Sequence, residues 1–147
     1  MRPSDLWRSL FRVVVGLYWL FFASQKWAGV AWMEPLIRGS AGSNPVPGLH
    51  EFLVQVVAPH WYPFAIAQSA AETAVAVLLI LGLAKRAAAI ASFLLALNLA
   101  LTVAFLVPDL ATRWLYYLAL LVSAELMVAD TGSITLGRSR FVPAWLR

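Results

Sequence analysis

Polar residues in this chain cluster between apolar runs that are too long for an ordinary surface helix. The run from Pro63 to Gly82, PFAIAQSAAETAVAVLLILG, is apolar apart from Gln68, Glu72 and a few hydroxyls. As a helix rising about 1.5 Å per residue it is long enough to cross a bilayer. Three further stretches share this character, so the pattern predicts helices over about 6–27, 63–83, 87–107 and 111–129. The expected architecture is all-α: an integral membrane four-helix bundle, one transmembrane domain over 1–147. The long connection 28–62 is expected to form a short amphipathic cap on the outer side.

Each run carries helical spacing. Ser4 or Asp5 can cap the first helix. Within it, Arg12, Gly16, Trp19, Ala23 and Lys26 recur at spacings of four and three and share one face, assigned to the bundle interior. Gly16 would let another helix approach closely. The second helix starts near Pro63 and has its expected inner face at Ala65, Gln68, Glu72, Val75, Leu79 and Gly82. A tight turn at Ala84-Lys85-Arg86 makes helices two and three antiparallel neighbours. Helix three carries one strongly polar residue, Asn98, and stops at Pro108-Asp109. Helix four opens on Trp114, Tyr116 and Tyr117, an interfacial belt, and bears Glu125 near its other end. In the connection, VAWMEPLIRG is amphipathic. GSAGSNPVPG, with three glycines and two prolines, reads as a loop, and Leu49–Val57 as a short helix. The tail DTGSITLGRSRFVPAWLR reads as a surface segment with Phe141 and Trp145 in the headgroups.

Composition agrees with lipid. The chain is 62% hydrophobic and 12% charged, with a mean hydropathy of +0.79. A soluble domain carries about a quarter charged residues. Net charge is +4, but the basic residues flank apolar runs and form no patch interleaved with aromatics, which excludes nucleic acid as the expected partner. With no cysteine, the chain has no disulfide, thiolate nucleophile or iron–sulfur ligand of its own. Arg2, Arg8, Arg12, Lys85, Arg86, Arg138, Arg140 and Arg147 fall toward one side, and Lys26, Arg38 and Arg113 toward the other. This asymmetry of eight to three predicts both termini in the cytoplasm and segment 28–62 outside. The N-terminal run is interrupted by Arg12 and ends in Gln25-Lys26-Trp27, so it reads as an uncleaved first span and not a signal peptide.

These residues resemble the DoxX/DoxD family of small four-helix membrane proteins. The resemblance rests on Gly16, Phe22-Ala23, Lys26 and Gly29 in the first helix. In the second it rests on Gln68, Glu72, Leu79, Gly82-Leu83 and Lys85-Arg86. It closes with Ala129-Asp130-Thr131-Gly132 and Leu136-Gly137 after the fourth, so that it spans most of the chain. DoxD-type members are linked to thiosulfate:quinone oxidoreductase as its small membrane subunit, and others to redox and oxidative-stress partners. The resemblance therefore implies a quinone as cofactor, a membrane-protein partner or a second copy of the chain, and the cell inner membrane of a bacterium or archaeon.

Glu72 is the sharpest chemical signal. A carboxylate at membrane depth is costly and must face protein or water. It could carry a proton in quinol chemistry or hydrogen-bond a quinone, and is the candidate catalytic residue. The competing reading is a helix-packing hydrogen bond with Asn98 or Gln68. Lys26 and Gln68, with Gln25, could line the entrance to a cavity running toward Glu72, which makes Lys26, Gln68, Glu72 and Asn98 the candidate cofactor-binding set. Alternatively, Lys26 snorkels to the headgroups. Arg12 and Glu125 are expected to form an interhelical ion pair. His50 and His60 have no metal-ligand spacing, and no metal site is expected. No phosphate loop, serine elbow or HExxH occurs, which disfavours soluble-enzyme readings. The expected function is a small membrane subunit of a quinone-linked redox assembly. The alternatives are a non-catalytic structural or accessory subunit and a small-solute transporter.

Overall fold

A computed structural model describes residues 3–129. The expected surface tail, with Arg138, Arg140, Phe141, Trp145 and Arg147, lies outside the described residues, as does Arg2. Among the described residues all regular structure is helical. Its elements are α1 (Pro3–Trp27), a 3-10 turn (Val30–Trp32), α2 (Met33–Ser43), α3 (Leu49–Phe52) running into a π turn (Leu53–Val57), α4 (Trp61–Leu81), α5 (Lys85–Leu101), α6 (Val103–Leu106) and α7 (Leu110–Val128). Four segments are long and apolar enough to cross a membrane: Pro3–Trp27, Trp61–Leu81, Lys85–Leu106 and Leu110–Val128.

α1 packs along α4, α5 along α7, and α4 against α5. Gly16 meets Ala76 and Ile80, while Lys26 meets Glu72, so α1 and α4 run antiparallel. Gln68 meets Asn98 beyond the turn at Gly82–Ala84, and Ser92 meets Ser123 beyond the link at 107–109, so the other neighbours are antiparallel too. Pro3 and Val128 consequently lie at one end of the bundle, and α2 and α3 at the other. The expected interior face of α1 is buried at all five positions, Arg12, Gly16, Trp19, Ala23 and Lys26. A Cβ on Gly16 would stand 3.1 Å from the backbone oxygen of Ala76 and 2.8 Å from Ile80 Cγ1, which is why the helices can meet there. On α4 the buried stripe is Ala65, Ser69, Glu72, Val75, Ala76 and Leu79, with Gln68 half-buried at its edge. Trp19, Val75, Leu79, Ala88, Ala96 and Leu126 form the core of the bundle. Outward, Leu10, Leu17, Phe21, Leu94, Leu118 and Leu121 are exposed. An apolar girdle of this kind on a monomer is a surface made for lipid. The protein is a multi-pass membrane protein.

Local signals set the joints. Gly82 is left-handed (φ 70°), and Leu83 N–H donates to Leu78 O at 2.9 Å while Gly82 N–H donates to Leu79 O at 3.3 Å. This is a Schellman stop, which glycine makes without a Cβ penalty. Ala84 follows, also left-handed at φ 42°. Asp109 caps α7 by accepting from Thr112 N–H at 2.8 Å and from Thr112 Oγ1 at 2.7 Å. The Thr112 hydroxyl and amide together hold this carboxyl below the usual aspartate range.

Two readings of the sequence need correction. The glycine-rich stretch 39–43 is not loop but the last turn of α2. Gly39 lies under Leu106, where a Cβ would approach Leu106 Cδ1 to 3.0 Å, and Ser40 and Ala41 are buried. Close packing on α6 thus outweighs the poor helix propensity of glycine. The chain leaves the helix only at Asn44, ahead of Pro45. Second, Arg12 and Glu125 form no ion pair. Glu125 is exposed, two positions past the buried Ser123, while Arg12 is buried on α1. The segment read as a short helix over Leu49–Val57 is helical, but it widens to a π turn at Leu53, where Ala58 N–H donates to Leu53 O at 2.8 Å.

Candidate functional site

The third span breaks at Thr102, between α5 and α6. The break leaves the carbonyl of Leu101 without its helical donor, and Asn44 Nδ2 donates to it at 2.7 Å. Asn44 thereby fastens the end of α2 to the bundle. Beneath α2 and α3 lies an apolar cavity of about 750 Å³. Its walls include Met33, Leu53 and Val57 from the cap, Tyr18 and Phe22 from α1, Leu78 from α4, Leu95 from α5 and Tyr116 from α7. Lys26, Gln68 and Asn98 are also in the lining.

Those three belong to one polar chain. Gln68 and Glu72 are four apart on α4 and therefore stacked on one face. Lys26 closes the buried stripe of α1 and reaches α4 from the side. Lys26 Nζ donates to Glu72 Oε1, and Gln68 Nε2 donates to the same oxygen at 2.8 Å. Asn98 Nδ2, from α5, then donates to Gln68 Oε1 at 3.2 Å. Glu72 is fully buried and Lys26 nearly so. Neither charge faces lipid, as its cost there requires. Lys26 is thus an ion-pair partner and does not snorkel. Glu72 Oε2 is buried and meets no hydrogen-bond donor among the described residues.

The structure brings together all four residues expected at a cofactor site, in the order Lys26, Glu72, Gln68, Asn98. Glu72 itself does not line the cavity; it stands behind the wall and acts on the cavity through Gln68 and Lys26. Of the expected partners, Gln68 bonds Glu72 directly and Asn98 only through Gln68. Gln25 is exposed and away from the cavity. His60 Nδ1 lies 2.9 Å from Val56 O in its own helical turn, and neither histidine lines the cavity. Among the described residues, no group of three or more histidine or carboxylate side chains is placed to hold a metal.

Sequence reasoning missed a second polar chain. Trp19 Nε1 donates to Ser92 Oγ at 2.7 Å, and Ser92 Oγ lies 3.0 Å from Ser123 Oγ, all three residues being buried. The signal was a serine within each of two largely apolar runs, on faces that meet. Tyr116, expected in the interfacial belt, lines the cavity, as does Tyr18. Compared with known protein families, curated proteins and solved structures, the chain shows no match. The site must therefore be read from its own geometry.

Proposed function

We propose that the chain is a small membrane subunit of a quinone-linked redox assembly, and that its cavity seats the ring of a lipid-phase quinone. The observation that carries the reading is the meeting of a large apolar cavity with the Lys26–Glu72–Gln68–Asn98 chain at one wall. Its volume of about 750 Å³ lies within the range of small-molecule sites, about 300–1,000 Å³. Such sites are mostly apolar with a few convergent polar groups. The residues present fit the group: Tyr18, Phe22 and Leu95 offer ring contact, and Lys26, Gln68 and Asn98 offer hydrogen bonds to ring oxygens. When bound, a quinone supplies two-electron, two-proton exchange with a partner. This chain's residues bind and orient the ring and exclude water, while Glu72 positions Gln68 and Lys26 from behind. The resemblance to the DoxX/DoxD family supports the same reading. The reading places the cap outside the cell membrane of a bacterium or archaeon, with Arg8, Arg12, Lys85 and Arg86 toward the cytoplasm.

The test is purification in mild detergent with native lipid and partners retained, followed by solvent extraction. A near-stoichiometric quinone is expected, reduced several-fold in an Asn98→Leu variant that assembles normally. Absence of quinone from an intact native complex would overturn the reading. That result would favour an accessory subunit.

A further inference from the structure

From the direction of the hydrogen bonds, we infer that the cavity prefers a ring bearing a phenolic hydroxyl to the same ring bearing a carbonyl. The inference rests on the reading above and names the form of ligand its site takes. An ionised carboxylate only accepts hydrogen bonds, and a lysine ammonium only donates them. With Lys26 beside it, Glu72 receives the amide nitrogen of Gln68. Turned over, Gln68 would oppose one oxygen to another. Gln68 Oε1 is consequently directed to Asn98, which answers with Nδ2. The charge on Glu72 thus fixes the sense of both amides, and Asn98 Oδ1 is left as the end of the chain.

Asn98 lines the cavity, and no donor from the described residues reaches its Oδ1. Asn98 is exposed, so a ring seated against it displaces water from Oδ1, and an acceptor desolvated in that way is costly to leave unmet. A hydroxyl can donate to Asn98 Oδ1 and still accept from an N–H of Asn98 or Lys26. A carbonyl only accepts, so Asn98 Oδ1 stays unmet. Sites built around one polar partner discriminate strongly against an analogue lacking it. Glu72 is here a positioning residue, acting two hydrogen bonds away from the atom that meets the ligand.

Calorimetric titration of the chain in lipid nanodiscs tests this with three probes: a decyl hydroquinone kept reduced, its dimethyl ether, and the matching decyl benzoquinone. The hydroquinone is expected to bind about tenfold or more tightly than either of the others. Asn98→Leu should bring the three affinities within about twofold of one another, since it removes the acceptor. Glu72→Gln should narrow the ratio as well, because a neutral amide accepts either sense of Gln68; a purely structural role would change the amount of folded protein but not the ratio. If all three probes bind alike to the unaltered chain, or if the preference survives Asn98→Leu, the inference is overturned while the quinone site stands. If none binds, both readings fall.

Discussion

At the scale of single residues, Lys26 and Glu72 depend on each other. Each is acceptable at membrane depth only because the other neutralises it, and both are buried. Removing one partner of such a pair typically costs about 3–5 kcal/mol, whereas replacing both by apolar groups can be nearly neutral. Lys26→Met and Glu72→Leu should each destabilise the fold by amounts in that range, and the double variant by clearly less than either. Reversible unfolding in mixed micelles measures this. Both residues were visible in the sequence as charges on inward stripes. Their pairing was not, because stripe spacing says nothing of how far one helix slides along another. The same blindness produced the Arg12–Glu125 expectation, which matched two depths and missed the rotation that turns Glu125 outward.

At the scale of elements, the runs of lipid length and the stripe on α1 could be read directly, because both depend on spacing within one helix. The cap could not. Residues 39–43 have loop composition and become helix through contact with Leu106, far later in the chain, against which Gly39 packs closely. The turn between α4 and α5 offers an internal comparison. Gly82 and Ala84 both adopt left-handed backbone, and only one is glycine. Placing a Cβ there costs about 1–2 kcal/mol. Gly82→Ala should therefore lower stability by about 1 kcal/mol. Ala84→Gly relieves the strain while loosening the unfolded chain, and these oppose each other, so it should change stability by less than about 0.5 kcal/mol. Paired unfolding measurements on the two variants decide the point.

At the scale of the whole molecule, the bundle is two antiparallel pairs, α1 with α4 and α5 with α7, joined by the turn at Gly82–Ala84. Trp19 spans the gap between pairs, with its indole N–H on Ser92 and Ser92 next to Ser123. Interhelical hydrogen bonds in membranes contribute about 0.6 kcal/mol each and up to about 1.7. Trp19→Phe should cost at least that much, since it also leaves a void in the core. Ser92→Ala should cost less, and the two losses should not add, which a double-mutant cycle in micelles checks. The indole thus serves as a clasp closing two hairpins into one body. Each helix keeps its backbone hydrogen bonds to itself, so what joins the two halves is side-chain contact.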